Sequence, residues 1–297
     1  MHDSDEKKFF AARVGDAAIR AILHEVAATP KPGLVDRSNN GAHDDMDFFT
    51  FMASASALRK SFEEFARIGV KSRGLTAART FYLLRLAGLS AEKKMFAATE
   101  GVNTHKGAIF SLGLVCGAAG RASLAGSTSA EEICRLSAEL CAGICGEAYA
   151  ALEEKKILTK GERVFLEHGI RGVRGEAEDG FPSVLHVSLP AYRETKKNGV
   201  SENDALVHAL LHLMATVHDT NVISRHDLAM SHYVRERAAD TLTSGGMTTT
   251  AGRRAVTEMD RDFIERNISP GGCADLLAVT IFLDWVRIDP ASAGAKA

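Results

Sequence analysis

Apolar residues recur at helical spacing along most of the chain. Between Phe9 and Ala28 they occupy positions 10, 14, 17, 18, 21, 22 and 26, which share one helix face. The segment from Asp47 to Ile68 repeats the pattern, and Pro190 should kink or end a helix that starts near Ser183. Alternating β-branched runs, which are typical of strands, are nearly absent. Further helices are predicted over 75–87, 90–98, 105–120, 129–156, 160–168, 201–217, 248–266 and 272–288.

Short glycine-, serine- or charge-rich breaks separate these helices, and none is long enough or simple enough to be a linker. The sequence therefore predicts an all-α, single-domain multi-helix bundle with its active site built from interhelical loops. The helical domain is predicted over residues 9–289. A polar N-terminal tail over 1–8 and a C-terminal tail over 290–297 should flank it.

Composition narrows the class of partner. The 297 residues carry 36 basic and 38 acidic side chains, so there is no basic excess for nucleic acid, and any anion site must be local. No uninterrupted apolar run is long enough for a membrane span, and the first eight residues lack the apolar core of a signal peptide.

Three cysteines, Cys134, Cys141 and Cys145, share a helix face and are predicted to be buried thiols of a cytoplasmic protein. Oligomeric state is left open, and a homo-oligomer is compatible with the sequence.

The segment 29–47 is the most informative polar stretch. Two prolines stop the first helix, and a long loop follows with both charge signs, including Lys31, Arg37 and four aspartates. Long ordered loops are more often functional than structural. Such a mixture suits an anionic ligand that carries a metal, such as a nucleotide polyphosphate.

A second polar segment, 101–107, precedes an apolar helix. Lys106, Gly107 and free backbone N–H groups at that helix start would suit a phosphate. A plain helix start capped by Asn103 or Thr104 is the alternative.

Three further polar segments have both functional and structural interpretations. The loop 171–180 could clamp phosphate and metal, or it could be solvated and paired with itself. The quartet 218–221 ends an apolar helix and either points inward or caps that helix. Segment 267–275 is explained by structure, with Ser269 as a helix cap and Pro270 in the first turn.

The familiar catalytic motifs are absent. The sequence has no Gly-x-x-x-x-Gly-Lys-Ser/Thr loop, no kinase catalytic set and no Gly-x-Ser-x-Gly elbow. Phosphoryl transfer by either common route and acyl transfer by a serine elbow are therefore unsupported.

Taken together and in order, the polar segments resemble the triphosphoribosyl-dephospho-coenzyme A synthases that serve citrate lyase and malonate decarboxylase. The resemblance implies an all-α fold and the transfer of the 5-triphosphoribosyl group of ATP to the 2′-hydroxyl of 3′-dephospho-coenzyme A, with release of adenine. It also implies that the product passes to a carrier-protein transferase. The motifs that carry the resemblance span 29–37, 41–46, 101–110, 174–178, 219–222 and 267–272.

One segment departs from that pattern. After 219–222 the family continues towards His-Arg-Gly-Gly, whereas this chain has Ile223-Ser224-Arg225-His226-Asp227. Arg225 keeps the basic residue but the glycine pair is lost, which bears on the acceptor. One alternative is a diverged paralogue that transfers the ribosyl group of ATP to a different acceptor or carries out metal-dependent N-glycosidic hydrolysis. A non-catalytic nucleotide-binding or assembly protein is the other alternative.

The chemistry of ribosyl transfer assigns roles to the polar residues. The acceptor must lose a proton, and a triphosphate needs Mg²⁺ on carboxylates with Lys and Arg on its outer oxygens. His43 is the candidate proton donor, because its ordinary pKa lies near neutrality. Asp36, Asp45, Glu176 and Asp219 are expected to divide Mg²⁺ binding and general-base work. The expected phosphate and nucleotide ligands are Lys31, Arg37, Asn39, Asn103, His105, Lys106, Gly107, Arg174, Asn221 and Arg225.

Overall fold

The structure, a computed structural model, describes residues 2–146 and 158–286. Within these ranges there is no strand, and the prediction of an all-α fold is confirmed. Short 3₁₀ segments lie at Ser123–Ala125 and Gly246–Thr248. The α-helices in the described ranges are α1 His2–Ala27, α2 Phe48–Val70, α3 Ala77–Ala98, α4 Lys106–Ala122, α5 Ala130–Cys141, α6 Lys160–His168, α7 Gly172–Glu178, α8 Leu189–Lys197, α9 Glu202–Thr216, α10 Thr220–Arg225, α11 Leu228–Thr243, α12 Thr250–Glu265 and α13 Gly271–Trp285.

Some helix boundaries differ from those predicted. Helix α1 begins at His2, so residues 2–8 extend the first helix. The two helices predicted over 75–87 and 90–98 form the single helix α3. Helix α5 ends at Cys141, before a glycine with φ of +83° at position 143. The rest of the helix predicted to 156 falls mostly outside the described residues, as does the predicted tail 290–297.

Helices α7, α10 and α11 lie where the sequence predicted no helix. Helix α11 buries Ser231, Val234, Ala238 and Thr241. A face made of small and hydroxyl residues gives little hydrophobic periodicity, which is why the pattern did not predict it. Around Pro190 the chain stays helical: a π-helical segment, Val184–Ser188, leads directly into α8. The helix therefore does not end at Pro190, which sits in the first turn of α8.

Helix α4 runs through the core of the bundle and packs against α2 with close backbone approach. A Cβ at Gly69 would overlap the carbonyl oxygen of Gly117, and one at Gly120 would overlap that of Ala66. Glycine at these crossings lets the two helices approach closely. The segment Lys106–Ala125 is the one candidate membrane span in the described residues, and 72% of its apolar 18-residue window is buried, as expected of a core helix.

Helix α13 joins the two halves of the bundle. It packs against α1 and α4 on one side and against α9 on the other, and α9 in turn packs against α8 and α11. Its residues from Leu276 to Leu283 are all buried. This arrangement brings the starts of α4, α10 and α13 to the same region as the loop that follows α1.

Candidate active site

One cavity of about 820 Å³ lies where these helix starts meet the loop after α1. It collects residues from all five polar segments of the sequence. The expected site residues that line it are Lys31, His43, Asp45, Asn103, His105, Lys106, Gly107, Arg174, Glu176, Asp219, Asn221 and Arg225. Asp36, Arg37 and Asn39 do not line it.

Asp36 holds the loop together from inside. Its carboxylate accepts hydrogen bonds from the backbone N–H groups of Lys31 at 2.9 Å, Ser38 at 2.6 Å and Asn39 at 3.1 Å. The residue is 1% exposed. With three backbone donors and no access to the cavity, its geometry suits loop folding and not the base or metal role expected from the sequence.

Arg37 and Asn39 also face away from the cavity. The Arg37 guanidinium donates to Asn203 at 2.9 Å, and the Asn39 amide donates to Asp260 at 3.0 Å. Gly33 fixes the same loop, with φ of +71° and a Cβ position that would overlap the carbonyl oxygen of Ile268. The geometry therefore does not favour the nucleotide-binding roles expected for Arg37 and Asn39.

A buried ion pair forms part of the cavity wall. The ammonium of Lys31 donates to Glu25 of α1, and the two side chains are 2% and 6% exposed. Burial raises the pKa of Glu25, and the nearby Lys31 opposes that shift. Glu25 was missed, although one signal was available: it is an acid on the apolar face that carries Ile22 and Val26.

Asp219 joins the starts of two helices. One carboxylate oxygen accepts from the N–H of Asn221 in α10, and the other accepts from the N–H of Cys273 in α13, both at 2.8 Å. Burial raises the pKa of this carboxyl, while the two backbone donors lower it. Asp219 lines the cavity, but both of its oxygens already have donors.

Asp275 is the second acid that sequence reasoning left without a role. Its carboxylate accepts from the backbone N–H of Ala108 in the first turn of α4, and a Cβ at Gly107 would overlap its Oδ2. A carboxylate thus occupies the helix start expected to hold a phosphate, and Gly107 provides room for it. Burial, together with Glu25 and Asp219, raises the pKa of Asp275 well above its ordinary value.

Glu176 is the cavity carboxylate that α7 contributes. Its two oxygens accept from the Ser183 hydroxyl at 2.6 Å and from the Ser183 N–H at 3.3 Å. Burial raises the pKa of the carboxyl and the hydrogen bonds from Ser183 lower it.

Two cations face the cavity without a carboxylate partner in the described ranges. Arg174 has no ion pair there, and Arg225 donates to the Ala42 carbonyl at 3.1 Å and to Asn267 at 3.2 Å. Lys106, by contrast, is 3.1 Å from Glu92. Arg174 and Arg225 are therefore the cations best placed to bind phosphate oxygens.

His43 lies between a serine hydroxyl and two charged groups, Arg225 and Asp45. Its Nε2 lies 2.8 Å from the Ser269 hydroxyl, and Arg225 approaches its Nδ1 at 3.3 Å. Burial and the Arg225 charge lower its pKa, so a proton donor at neutral pH is disfavoured. The predicted cap by Ser269 is wrong: α13 has no side-chain cap, and the Ser269 hydroxyl contacts His43 instead.

His105 is buried and neutral. The Thr104 hydroxyl donates to Ser54 at 2.8 Å, and the Ser54 hydroxyl lies 2.7 Å from His105 Nδ1. Its other ring nitrogen, Nε2, is buried without a partner in the described part of the chain. Burial and Lys31 lower its pKa to about 3, so it does not act as a cation for phosphate.

No preformed metal cage exists in the described residues, where no three His, Cys, Asp or Glu side chains are grouped to hold a metal. Mg²⁺ commonly keeps several waters and takes one or two carboxylates together with substrate phosphates. The donor set fits that mode. Asp45 is the cavity carboxylate with the most exposed side chain, at 65%.

Comparison with known proteins identifies the family. The family model for CitG, ATP:dephospho-CoA triphosphoribosyl transferase, matches residues 11–291. A Vibrio cholerae protein named "Probable 2-(5''-triphosphoribosyl)-3'-dephosphocoenzyme-A synthase" is 44% identical over 269 residues, which is 90% of this chain and 86% of that protein. The synthases of Klebsiella pneumoniae and Escherichia fergusonii are 41% and 40% identical. The alignments cover 93% and 92% of this chain, and 92% and 90% of those proteins, respectively. The chain therefore belongs to the CitG family of ATP:dephospho-CoA triphosphoribosyl transferases.

Proposed function

We propose that the large cavity is the active site of the family's reaction, in which the 5-triphosphoribosyl group of ATP moves to the 2′-hydroxyl of 3′-dephospho-coenzyme A and adenine leaves. The product is the precursor of the citrate lyase prosthetic group. The observation that carries the proposal is the combination of charges in one cavity. Two arginines without carboxylate partners in the described ranges line it together with buried carboxylates.

The arginines account for triphosphate binding. Arg174 and Arg225 offer planar guanidinium groups whose N–H donors match phosphate oxygens. Asn103 and Asn221, which also line the cavity, supply neutral donors for ribose or base. The intact triphosphate needs only to be held, which agrees with a sequence that lacks P-loop and kinase motifs.

Mg²⁺ belongs to the proposal as an ion that arrives with the triphosphate. Asp45 would hold it, and the ion would neutralise charge on the phosphate oxygens. Asp36 and Asp219 are assigned no metal role, because backbone N–H groups already occupy their oxygens.

The first experiment asks whether adenine release depends on the acceptor. The enzyme is incubated with ATP and Mg²⁺, with and without dephospho-coenzyme A, and the products are identified by mass spectrometry. We expect adenine and the triphosphoribosyl adduct only when dephospho-coenzyme A is present. Adenine release without any acceptor would instead support N-glycosidic hydrolysis.

Matched arginine variants test the site itself. Losing one charged hydrogen-bonding group costs about 2 kcal/mol, so Arg174→Ala and Arg225→Ala should each raise the KM for ATP about 30-fold. Arg37→Ala is the control, because Arg37 was also an expected phosphate ligand but lies outside the cavity and pairs with Asn203. Equal effects of all three variants on the KM for ATP would contradict the proposed phosphate site.

A different acceptor remains the second candidate. It is favoured by the segment after Asp219, where Ser224 and Arg225 line the cavity in place of the family's His-Arg-Gly-Gly pattern. Competition between dephospho-coenzyme A and coenzyme A distinguishes the two acceptors in one mass spectrum. The free, buried cysteines fit the expected cytoplasmic location. Transfer of the product to a carrier-protein transferase stays an expectation from the family resemblance.

A further inference from the structure

Ribosyl transfer requires a base for the acceptor hydroxyl, and the cavity offers several carboxylates. A base needs an oxygen that is free to accept the substrate's proton, so the existing donors to each carboxylate decide between them. The carboxylates that line the cavity are Glu25, Asp45, Glu162, Glu176, Asp179, Asp219 and Asp275.

Most of these groups are already engaged. Glu25 is paired with Lys31, and Asp179 is paired with Arg171. Glu162 accepts the Thr159 N–H at 2.8 Å as part of a capping box.

Two more have a donor on each oxygen. Asp219 is bound by the N–H groups of Asn221 and Cys273, and Glu176 is bound by the hydroxyl and the N–H of Ser183. Asp45 lies at the solvent-exposed side, where water competes for it.

Asp275 differs from all of them. The N–H of Ala108 is the one donor placed against it within the described ranges, so most of its acceptor capacity is unused. Its position is nevertheless fixed, because it is packed over Gly107 and carried by the buried helix α13.

A second, independent feature marks this part of the cavity as a ligand site. His105 precedes Gly107 by two residues, is 3% exposed, and leaves its Nε2 without a partner. The Ser54 hydroxyl accepts a hydrogen bond from Thr104, so it donates its own proton to Nδ1 of His105. The one N–H of the neutral His105 ring is therefore at Nε2. A buried N–H without an acceptor is costly, and a substrate oxygen or ring nitrogen would satisfy it.

We propose that Asp275 is the general base of the transfer, a role that rests on the proposed function of the cavity. Its carboxylate takes the proton of the acceptor 2′-hydroxyl as that oxygen bonds to C1′ of the triphosphoribosyl group. The C1′–N9 bond breaks, and its electron pair leaves with adenine. The proton then passes from Asp275 to the departing adenine through solvent, which restores the carboxylate.

The charges around Asp275 suit this work. Glu25 from α1 and Asp219 from the start of α10 face it and, together with burial, raise its pKa. Of the basic groups nearby, Lys31 is already paired with Glu25 and His105 is neutral. A raised pKa brings a carboxylate closer to the operating pH, where a base is most effective.

The test compares Asp275→Asn with Asp284→Asn. Asp284 is on the same helix, lies outside the cavity and pairs with Arg193. Asp275→Asn keeps an acceptor for Ala108 and removes charge beside Glu25 and Asp219, so it should fold with a melting temperature no lower than wild type. Asp275→Ser is a second neutral variant for the same comparison.

We expect Asp275→Asn to lower kcat about 100-fold or more, while the Kd for ATP from calorimetry changes by less than about threefold. The acid limb of the wild-type kcat–pH profile should disappear in Asp275→Asn and persist in Asp284→Asn. The proposal is overturned if Asp275→Asn keeps its turnover or its acid limb, or if it loses ATP affinity in parallel with turnover. These outcomes leave the proposed function intact, which fails only if the wild type makes no adduct.

Discussion

Replacing Lys31 by methionine leaves the Glu25 carboxylate buried without its partner. The two side chains are 2% and 6% exposed, so water cannot replace the lost ammonium. Breaking a buried pair from one side costs about 3–5 kcal/mol, and we expect Lys31→Met to lower the free energy of unfolding by that amount near pH 8. Urea denaturation, followed by circular dichroism, measures it directly.

Two further measurements separate the ion pair from other effects of the substitution. The double variant Glu25→Leu/Lys31→Met removes both charges and should recover most of the lost stability. The single variant should also be less impaired at pH 5 than at pH 8, because Glu25 can then bind a proton. A loss below about 1 kcal/mol, or a double variant no more stable than the single one, would refute the buried pair as the function of Lys31.

Two other predictions concern Asp275 and its surroundings. Gly107→Ala should displace the Asp275 carboxylate and so lower kcat, at a packing cost of about 1–3 kcal/mol. Gly88→Ala is the control: its Cβ would lie in open space, and kcat should be unchanged. Similar kcat values for the two variants would contradict this prediction. Folding raises the pKa of Asp275. The contribution of Asp275 to the free energy of unfolding therefore falls as the pH rises from about 4 through the pKa in the folded protein. His43 and His105 have lowered pKa values, so their contributions change with pH in the opposite direction. Subtracting the urea-derived pH profile of Asp275→Asn from that of wild type isolates the Asp275 part, and a flat difference would exclude the coupling.

The sequence was sufficient to predict the helical architecture and to locate most of the cavity. Long amphipathic segments such as α1 and α2 follow local rules, and the polar segments that interrupt them mark the loops that meet. Helix α11 was not predicted, because its buried face consists mostly of small and hydroxyl residues. The tight crossing of α2 and α4 depends on backbone contacts between distant glycines, which no local pattern shows.

Individual roles were harder to predict because they depend on contacts across the chain. Asp36 and Asp219 have the same side chain, yet one is sealed inside its own loop and the other faces the cavity. Glu25 and Asp275 stand in apolar helices, where their isolation was the only signal. By residue type alone, Arg37 and Arg225 were equally good candidates for binding phosphate. In the fold, Arg37 bonds to Asn203 and Arg225 lines the cavity.

The most direct test of the account is a crystal structure with dephospho-coenzyme A and 9-deaza-ATP, whose carbon–carbon glycosidic bond cannot be broken by the transfer. We predict triphosphate oxygens bonded to Arg174 and Arg225, and the acceptor 2′-hydroxyl within about 3.2 Å of the Asp275 carboxylate. A triphosphate bound at Arg37, or an acceptor hydroxyl remote from Asp275, would contradict the account.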